Sequence, residues 1–206
     1  MADYTASLDE RWPQRAAAAA HIIDHVQGLS FRPCQVVELC PGAGALAEGV
    51  LASSVHVRYT GVDFSLPLLA YTRDRLARFG PRATLHHADL SDDRWPELLS
   101  HDIHAIISMQ SLHDLGDAAR VERVYRRAHT LLQPGGLFLN ADLTAPATPD
   151  PQNPGRLRVD RHLEILHNCG YANVDCTWTH GDYACCAGYR PEFTATTQEK
   201  RHDQSI

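Results

Sequence analysis

Short apolar runs alternate with stretches of helical periodicity along most of the chain. Apolar residues that recur every three or four positions indicate helices, whereas short runs of β-branched and apolar residues indicate buried strands. The pattern predicts helices over residues 11–28, 65–78 and 158–169, one that follows Gly44, and one with a stripe from Val121 to Leu132 that Pro134-Gly-Gly136 ends. It predicts strands at Cys34–Leu39, Val57–Asp63, Ala83–His87, Ile103–Ser108, Leu137–Asp142, Val174–His180 and Tyr183–Tyr189.

The order of these elements predicts the fold class. Alternating strands and helices are typical of an α/β domain with a doubly wound, mostly parallel sheet covered by helices on both faces. The tight Gly181-Asp182 turn makes the last two strands an antiparallel hairpin. We expect a single domain over residues 1–190, with the N-terminal helix inside residues 1–30. The Thr-, Gln- and charge-rich residues 191–206 are expected to form a flexible tail.

Composition excludes some classes of protein. The chain has 206 residues, 44% of them apolar, and a net charge of −6 without a basic block. This balance disfavours a nucleic-acid partner. No apolar run reaches the length of a membrane helix, and no signal-peptide pattern begins the chain, so we expect a cytoplasmic protein. The six cysteines contain no C-x-x-C pair and are expected to be reduced. His21 and His25 have helical ligand spacing but no evident third ligand, so we predict no metal site.

A glycine loop after the first predicted strand, Glu38-Leu-Cys-Pro-Gly-Ala-Gly44, carries the main chemical signal. Such loops bring a backbone close to a ligand and direct helix amides toward it. Residues 42–47 also fit the dinucleotide pattern G-x-G-x-x-A, with Asp63 near the place of its ribose carboxylate. However, Glu38 would repel a pyrophosphate and suits a cationic amino group. Asp89, after the third strand, can accept an adenine amino group.

Together with the terminal hairpin, these motifs resemble the class I S-adenosylmethionine-dependent methyltransferases of the small-molecule type, from about Cys34 to Tyr189. The family's first motif is an acid followed by three alternating glycines, and here Cys40 stands in place of the first glycine. The turn from Leu132 to Phe138, which leads into the fifth strand, is also similar to that of the family. The resemblance implies a Rossmann-like sheet of seven strands, S-adenosyl-L-methionine as cofactor and S-adenosyl-L-homocysteine as product.

The resemblance also implies roles for individual residues. Asp63 would hold both ribose hydroxyls, Asp89 and Leu90 would frame the adenine, and Phe64 would line its other face. Each acid taken alone is typical of an ordinary strand-end cap. The predicted cofactor-binding residues are Glu38, Cys40, Pro41, Gly42, Gly44, Asp63, Phe64, Ser65, Asp89, Leu90, Ser108 and Met109.

An acceptor is expected beside the loop that follows the fourth strand, since ligands of open α/β sheets lie beyond the carboxyl ends of the strands. On this loop, Gln110 is a candidate substrate contact and His113 a candidate general base. His113 could instead pack or cap the next helix with Asp114. Trp12 is either part of a lid or a hydrophobic anchor. The proline-rich residues 143–157 are not expected to form a helical cap, which leaves the pocket open or closed by the N-terminus or another subunit.

The sequence thus favours methyl transfer to a small molecule, with a homodimer as one option for the assembly. Three alternatives stay open. A tRNA or protein methyltransferase is disfavoured by the acidic composition and by the lack of a recognition domain. A non-methylating protein could use the same fold. A nicotinamide enzyme would fit the glycine loop but not Glu38.

Overall fold

The computed structural model describes residues 7–8, 10–146 and 151–192. Of the predicted tail, all but residues 191 and 192 lies outside this part. The longer helices are α1 (Arg15–Gly28), α2 (Ala45–Ser53), α3 (Leu66–Leu76), α4 (Ala118–Leu131) and α5 (Val159–Asn168). The strands are β1 (Cys34–Leu39), β2 (Val57–Asp63), β3 (Ala83–His87), β4 (Ile103–Met109), β5 (Leu132–Leu143), β6 (Ala172–His180) and β7 (Tyr183–Tyr189).

The seven strands form one sheet in the order β3-β2-β1-β4-β5-β7-β6. β1 to β5 are parallel, and β7 pairs antiparallel with both β5 and β6. The predicted fold class is therefore confirmed, hairpin included. The strand order reverses between β1 and β4, so a crevice opens where their carboxyl ends diverge, the usual ligand site of such sheets.

Helices cover both faces of the sheet, and each face has its own apolar cluster. One cluster joins the sheet to α1 and α2 through residues such as Ile22 and Val50. The other joins it to α4 and α5 through Tyr125 and Ile165. None of the helices in the described residues is long and apolar enough to span a membrane.

Two of the predicted helix ends that differ from the structure have a proline nearby. The helix predicted to start at residue 11 starts at Arg15, because Pro13 disfavours helical backbone at Trp12 and the chain turns there. The helix predicted to end at Pro134 ends at Leu131, since Leu132 is already extended, with φ −68° and ψ 144°. β5 begins at once, and its Pro134-Gly-Gly segment lies opposite a register shift between Ile103 and Ala105 of β4.

Candidate functional site

A cavity of about 440 Å³ lies at the carboxyl ends of β1, β2 and β4, a size typical of small-molecule sites. It lies at the crevice expected from the strand order. Its wall combines the glycine loop, the end of β2, the segment after β3 and the loop after β4. The predicted residues that line it are Glu38, Cys40, Pro41, Gly42, Asp63, Phe64, Asp89, Leu90, Met109 and Gln110.

The glycine loop has left-handed backbone at Cys40, Gly42 and Gly44, with φ of 57°, 55° and 75°. A Cβ on Gly42 would meet no protein atom within 4 Å, whereas one on Gly44 would lie 2.7 Å from the Thr72 methyl group. Gly42 therefore leaves room on the cavity side, and Gly44 allows α2 to begin close against α3. Cys40 adopts this backbone although it is not glycine, at a cost of roughly 1–2 kcal/mol.

Asp63 ends β2 with a buried carboxylate that organises the loop. Its Oδ2 accepts the Gly42 N–H at 3.1 Å, and its Oδ1 accepts the Ser65 N–H at 2.8 Å. A carboxylate has about four acceptor positions, so two remain for hydroxyl donors in the cavity. Ser65 itself lies outside the cavity wall and caps α3, where its hydroxyl accepts from the Leu68 N–H.

Glu38 presents a second buried carboxyl group at the end of β1. It is 2% exposed and accepts a hydrogen bond from the Tyr59 hydroxyl at 2.8 Å. Burial raises the pKa of Glu38 to about 7, although the Tyr59 hydrogen bond opposes this shift. A cation placed beside Glu38 would favour its ionised form. The group is thus suited to an ammonium ligand.

Arg15 and Leu8 also line the cavity, and neither was among the predicted site residues. Arg15 donates from its guanidinium to the side-chain oxygen of Gln110, which links the start of α1 to the loop after β4. Its charge also lowers the pKa of Glu38. No glycine or spacing motif marks Arg15, and its place depends on how α1 packs. The structure thereby puts a cation and a carboxyl group at the same end of the cavity.

The opposite end is more open and combines apolar and polar groups. Phe64 is 68% exposed, unusual for a large aromatic side chain. Leu90, which follows β3, is buried, and the Asp89 carboxylate is exposed and accepts the Ser91 N–H at 2.7 Å. A flat aromatic ligand could contact Phe64 and Leu90 here and donate to Asp89.

His113 lies behind the cavity wall, on the short 3₁₀ turn Leu112–Leu115. Its Nδ1 donates to Asp142 Oδ1 at 2.6 Å, and its backbone N–H donates to Asp142 Oδ2 at 3.0 Å. Its Nε2 lies 3.3 Å from Asp114 Oδ1, and Asp114 lines the cavity. Burial lowers the pKa of His113, but the hydrogen bond and charge of Asp142 outweigh it, so the pKa is raised. The dyad can therefore hold a proton one residue behind the cavity.

Two further predicted residues lie in the fold around the cavity. Trp12 packs, partly buried, against the apolar cluster under α1. Ser108 is fully buried, donates to the Leu39 carbonyl at 3.2 Å and shares a hydrogen bond with Ser111 at 2.8 Å. Both support residues that line the cavity. Across residues 7–8, 10–146 and 151–192, no three His, Cys, Asp or Glu side chains cluster to hold a metal ion.

Residues 151–157 are not helical and pack against the loop that carries His113. A Cβ on Gly155 would lie 1.8 Å from the His113 carbonyl oxygen, so the two backbones are in close contact. Residues 147–150 of the predicted proline-rich segment lie outside the described residues.

Comparisons with known proteins agree with this architecture. A family model described as a methyltransferase domain matches residues 36–136. No curated protein matches the chain. An O-methyltransferase family protein from Burkholderia thailandensis superposes with a TM-score of 0.68 at 21% identity, over 85% of this chain and 57% of that one.

Two other solved structures show the range of proteins on this fold. PigF, solved with SAH, has a TM-score of 0.64 at 16% identity, over 84% of this chain and 56% of that one. The [4+2]-cyclase SpnF has a TM-score of 0.66 at 16% identity, over 84% and 82%. The chain thus spans little more than half the length of the Burkholderia protein and of PigF, and the likeness at these identities concerns the fold.

Proposed function

We propose that this chain, whose residues 36–136 match a methyltransferase-domain family model, is a class I S-adenosylmethionine-dependent methyltransferase that transfers a methyl group from S-adenosyl-L-methionine to a small molecule. The observation that carries the proposal is the pair of buried carboxyl groups, Glu38 and Asp63, on either side of the open Gly42 backbone. Asp63 would also suit the ribose of a dinucleotide, but an ionised Glu38 would repel a pyrophosphate.

The residues of the cavity fit the cofactor group by group. Glu38 and Arg15 offer a carboxyl group and a guanidinium at one end, which complements the ammonium and carboxylate of an amino acid. Asp63 keeps two acceptor positions for ribose hydroxyls. Phe64, Leu90 and Asp89 would take the adenine. Gly42 leaves free space where any larger side chain would project.

When bound, the cofactor supplies a methyl group on a positively charged sulfur, which an acceptor nucleophile can displace in line. The chain's own residues bind, align and exclude water, which is the main work in such a transfer. Asp114 lines the cavity next to the His113–Asp142 dyad. An acceptor hydroxyl or amine that must lose a proton would pass it toward Asp114 and the dyad.

A second function on the same fold is favoured by one finding. Of the three structures described above, SpnF, a cyclase, is the one whose length the chain nearly spans. A protein of this kind would bind the cofactor and a small molecule without methyl transfer. We therefore designed the test of function to separate binding from transfer.

The test is a thermal-shift screen of small-molecule hydroxyl, amine and carbon acids in the presence of S-adenosylhomocysteine. Each hit is then incubated with S-adenosylmethionine and examined by mass spectrometry, with bulk tRNA as a parallel substrate. We expect a small molecule to gain the mass of one CH₂. The Glu38→Gln variant should catalyse this transfer more slowly. Hits that bind but are never methylated would favour the non-methylating alternative, and methylated tRNA would overturn the small-molecule assignment.

A further inference from the structure

Two cysteines face each other across the C-terminal hairpin, and neither lines the cavity. Cys176 on β6 and Cys186 on β7 are directly opposite partners in the antiparallel register. Cys186 belongs to the apolar cluster beneath α4 and α5, and Cys176 packs against the same cluster, so they share one face of the sheet. Cys185, the next residue along β7, belongs to the cluster on the other face. The side chains of Cys176 and Cys186 therefore lie on the face of the sheet opposite to that of Cys185.

The geometry of the pair suits a covalent bond. Residues directly opposite in an antiparallel ladder have Cα atoms about 4.5–5.5 Å apart, within the roughly 4.4–6.8 Å that a disulfide spans. The two side chains are close enough for each to shift the pKa of the other. Cys176 as a thiol also donates to the Trp178 carbonyl at 3.7 Å. A bond between the two sulfurs thus requires little movement of the strands.

The two sulfurs differ in access. β6 is the edge strand of the sheet, and Cys176 on it is half-buried. Cys186 lies on the inner strand and is 2% exposed. A small oxidant from solvent therefore reaches Cys176 first, and Cys186 is positioned to react second.

The two thiols also differ in acidity. The hydrogen bond from Cys186 lowers the pKa of Cys176 to about 7, against the opposing effect of burial. The same hydrogen bond, together with burial, raises the pKa of Cys186. Exposed thiols of low pKa beside a second cysteine are the ones that oxidants select.

We propose that Cys176 is a peroxide-reactive modification site and that Cys186 converts the product to an intrachain disulfide. The Cys176 thiolate attacks one oxygen of hydrogen peroxide, the O–O bond breaks, and hydroxide leaves, giving a sulfenic acid. The Cys186 sulfur, as it loses its proton, attacks the Cys176 sulfur and displaces the hydroxyl group, which leaves as water. The two thiols are oxidised, and one peroxide is reduced to two waters.

The test treats the reduced full-length chain with hydrogen peroxide at pH 7.5, blocks remaining thiols with iodoacetamide, and maps the peptides without reduction. We expect the loss of two hydrogens and a peptide that joins Cys176 to Cys186, both reversed by dithiothreitol. Since the thiolate reacts, the initial rate should fall roughly eightfold at pH 6. Cys176→Ser should abolish the linked peptide, and Cys185→Ser, the matched control on the opposite face, should retain it.

Three results would overturn the proposal. The first is a treated wild-type chain that keeps all its thiols. The second is a disulfide that joins any other pair, and the third is a Cys176→Ser variant that forms as much disulfide as the wild type. The wild-type peptide map also tests Cys186 without a variant, because sulfinic acid at Cys176 without a link would be a fourth contradicting result and would exclude Cys186 as the resolving thiol.

Discussion

Two walls of the cavity, one at β1 and β2 and one at the loop after β4, differ in how far apart in sequence the residues that build them lie. We call them the local wall and the distant wall. The wall at β1 and β2 uses Glu38, Gly42 and Asp63, which belong to one β-α-β unit. The wall at the loop after β4 is supported from behind by His113, Asp142 and Gly155, which come from that loop, from β5 and from the segment after β5. The first wall is a local motif, whereas the second exists only once distant segments have packed.

The distant wall is expected to break most readily at Gly155. In Gly155→Ala the new Cβ would lie 1.8 Å from the His113 carbonyl oxygen, and a clash with backbone cannot be relieved by rotation of a side chain. We expect the free energy of unfolding to fall by about 3 kcal/mol or more, measured by urea denaturation.

The matched control is Gly28→Ala at the end of α1, where a Cβ meets no atom within 4 Å. It should change stability by about 1 kcal/mol or less. A Gly155→Ala variant as stable as the wild type would show that the segment does not pack on the His113 loop.

His113 tests whether the distant wall acts on the acceptor. His113→Ala should leave the affinity for S-adenosylhomocysteine nearly unchanged, since His113 is not part of the cofactor end of the cavity. With an acceptor that loses a proton, turnover should fall by about 10²-fold or more. If His113 only positions the acceptor, KM should rise while the pH profile keeps its shape.

The exposed His101 provides the control, and His101→Ala should behave as wild type. Normal turnover and normal KM in His113→Ala would make the residue purely structural.

The raised pKa of His113 also makes its contribution to stability depend on pH. This contribution is present below the unfolded pKa and is lost as pH rises through the folded pKa.

Asp63 tests the local wall. Asp63→Ala should weaken the binding of S-adenosylhomocysteine by about 1.5–3 kcal/mol, the range for hydrogen bonds to a charged group, as measured by titration calorimetry. Asp63→Asn keeps one carbonyl acceptor for the loop amides and should lose less. Asp74→Ala, at an exposed position of α3, is the control. Unchanged affinity in Asp63→Ala would remove the ribose from this position.

Glu38 gives the smallest effect and the most specific one. Its pKa of about 7 means that binding of an ammonium group requires the carboxyl group to release a proton. Affinity for S-adenosylhomocysteine should therefore rise roughly eightfold from pH 6 to pH 7.5. In the absence of ligand the sign is opposite, because the raised pKa makes stability decline as pH rises from about 4.5 to about 7.

Calorimetry in buffers of different ionisation enthalpy measures the released proton. Glu38→Gln should bind more weakly and without this pH dependence. An equally steep pH dependence in Glu38→Gln would assign the titration to another group.

The same contrast explains what could be predicted from the sequence. Short apolar and β-branched runs predicted the seven strands, and the Gly181-Asp182 turn predicted the terminal hairpin, because each is a local pattern. Glu38, Gly42 and Asp63 were also identified from the sequence, since they lie at or just after strand ends in a recognisable order. Their roles in binding stay predictions. Arg15 was missed because its place in the cavity depends on the packing of α1. Asp142 was missed because its partner His113 lies 29 residues away.

Cofactor choice is the most direct test, because the local wall was interpreted as a site for an amino acid head group and a ribose. Titration calorimetry of the full chain with S-adenosylhomocysteine and, separately, with NAD at pH 7.5 measures it. We expect micromolar binding of S-adenosylhomocysteine, about 8 kcal/mol of binding free energy, and no measurable binding of NAD. Binding of NAD without binding of S-adenosylhomocysteine would contradict the assignment.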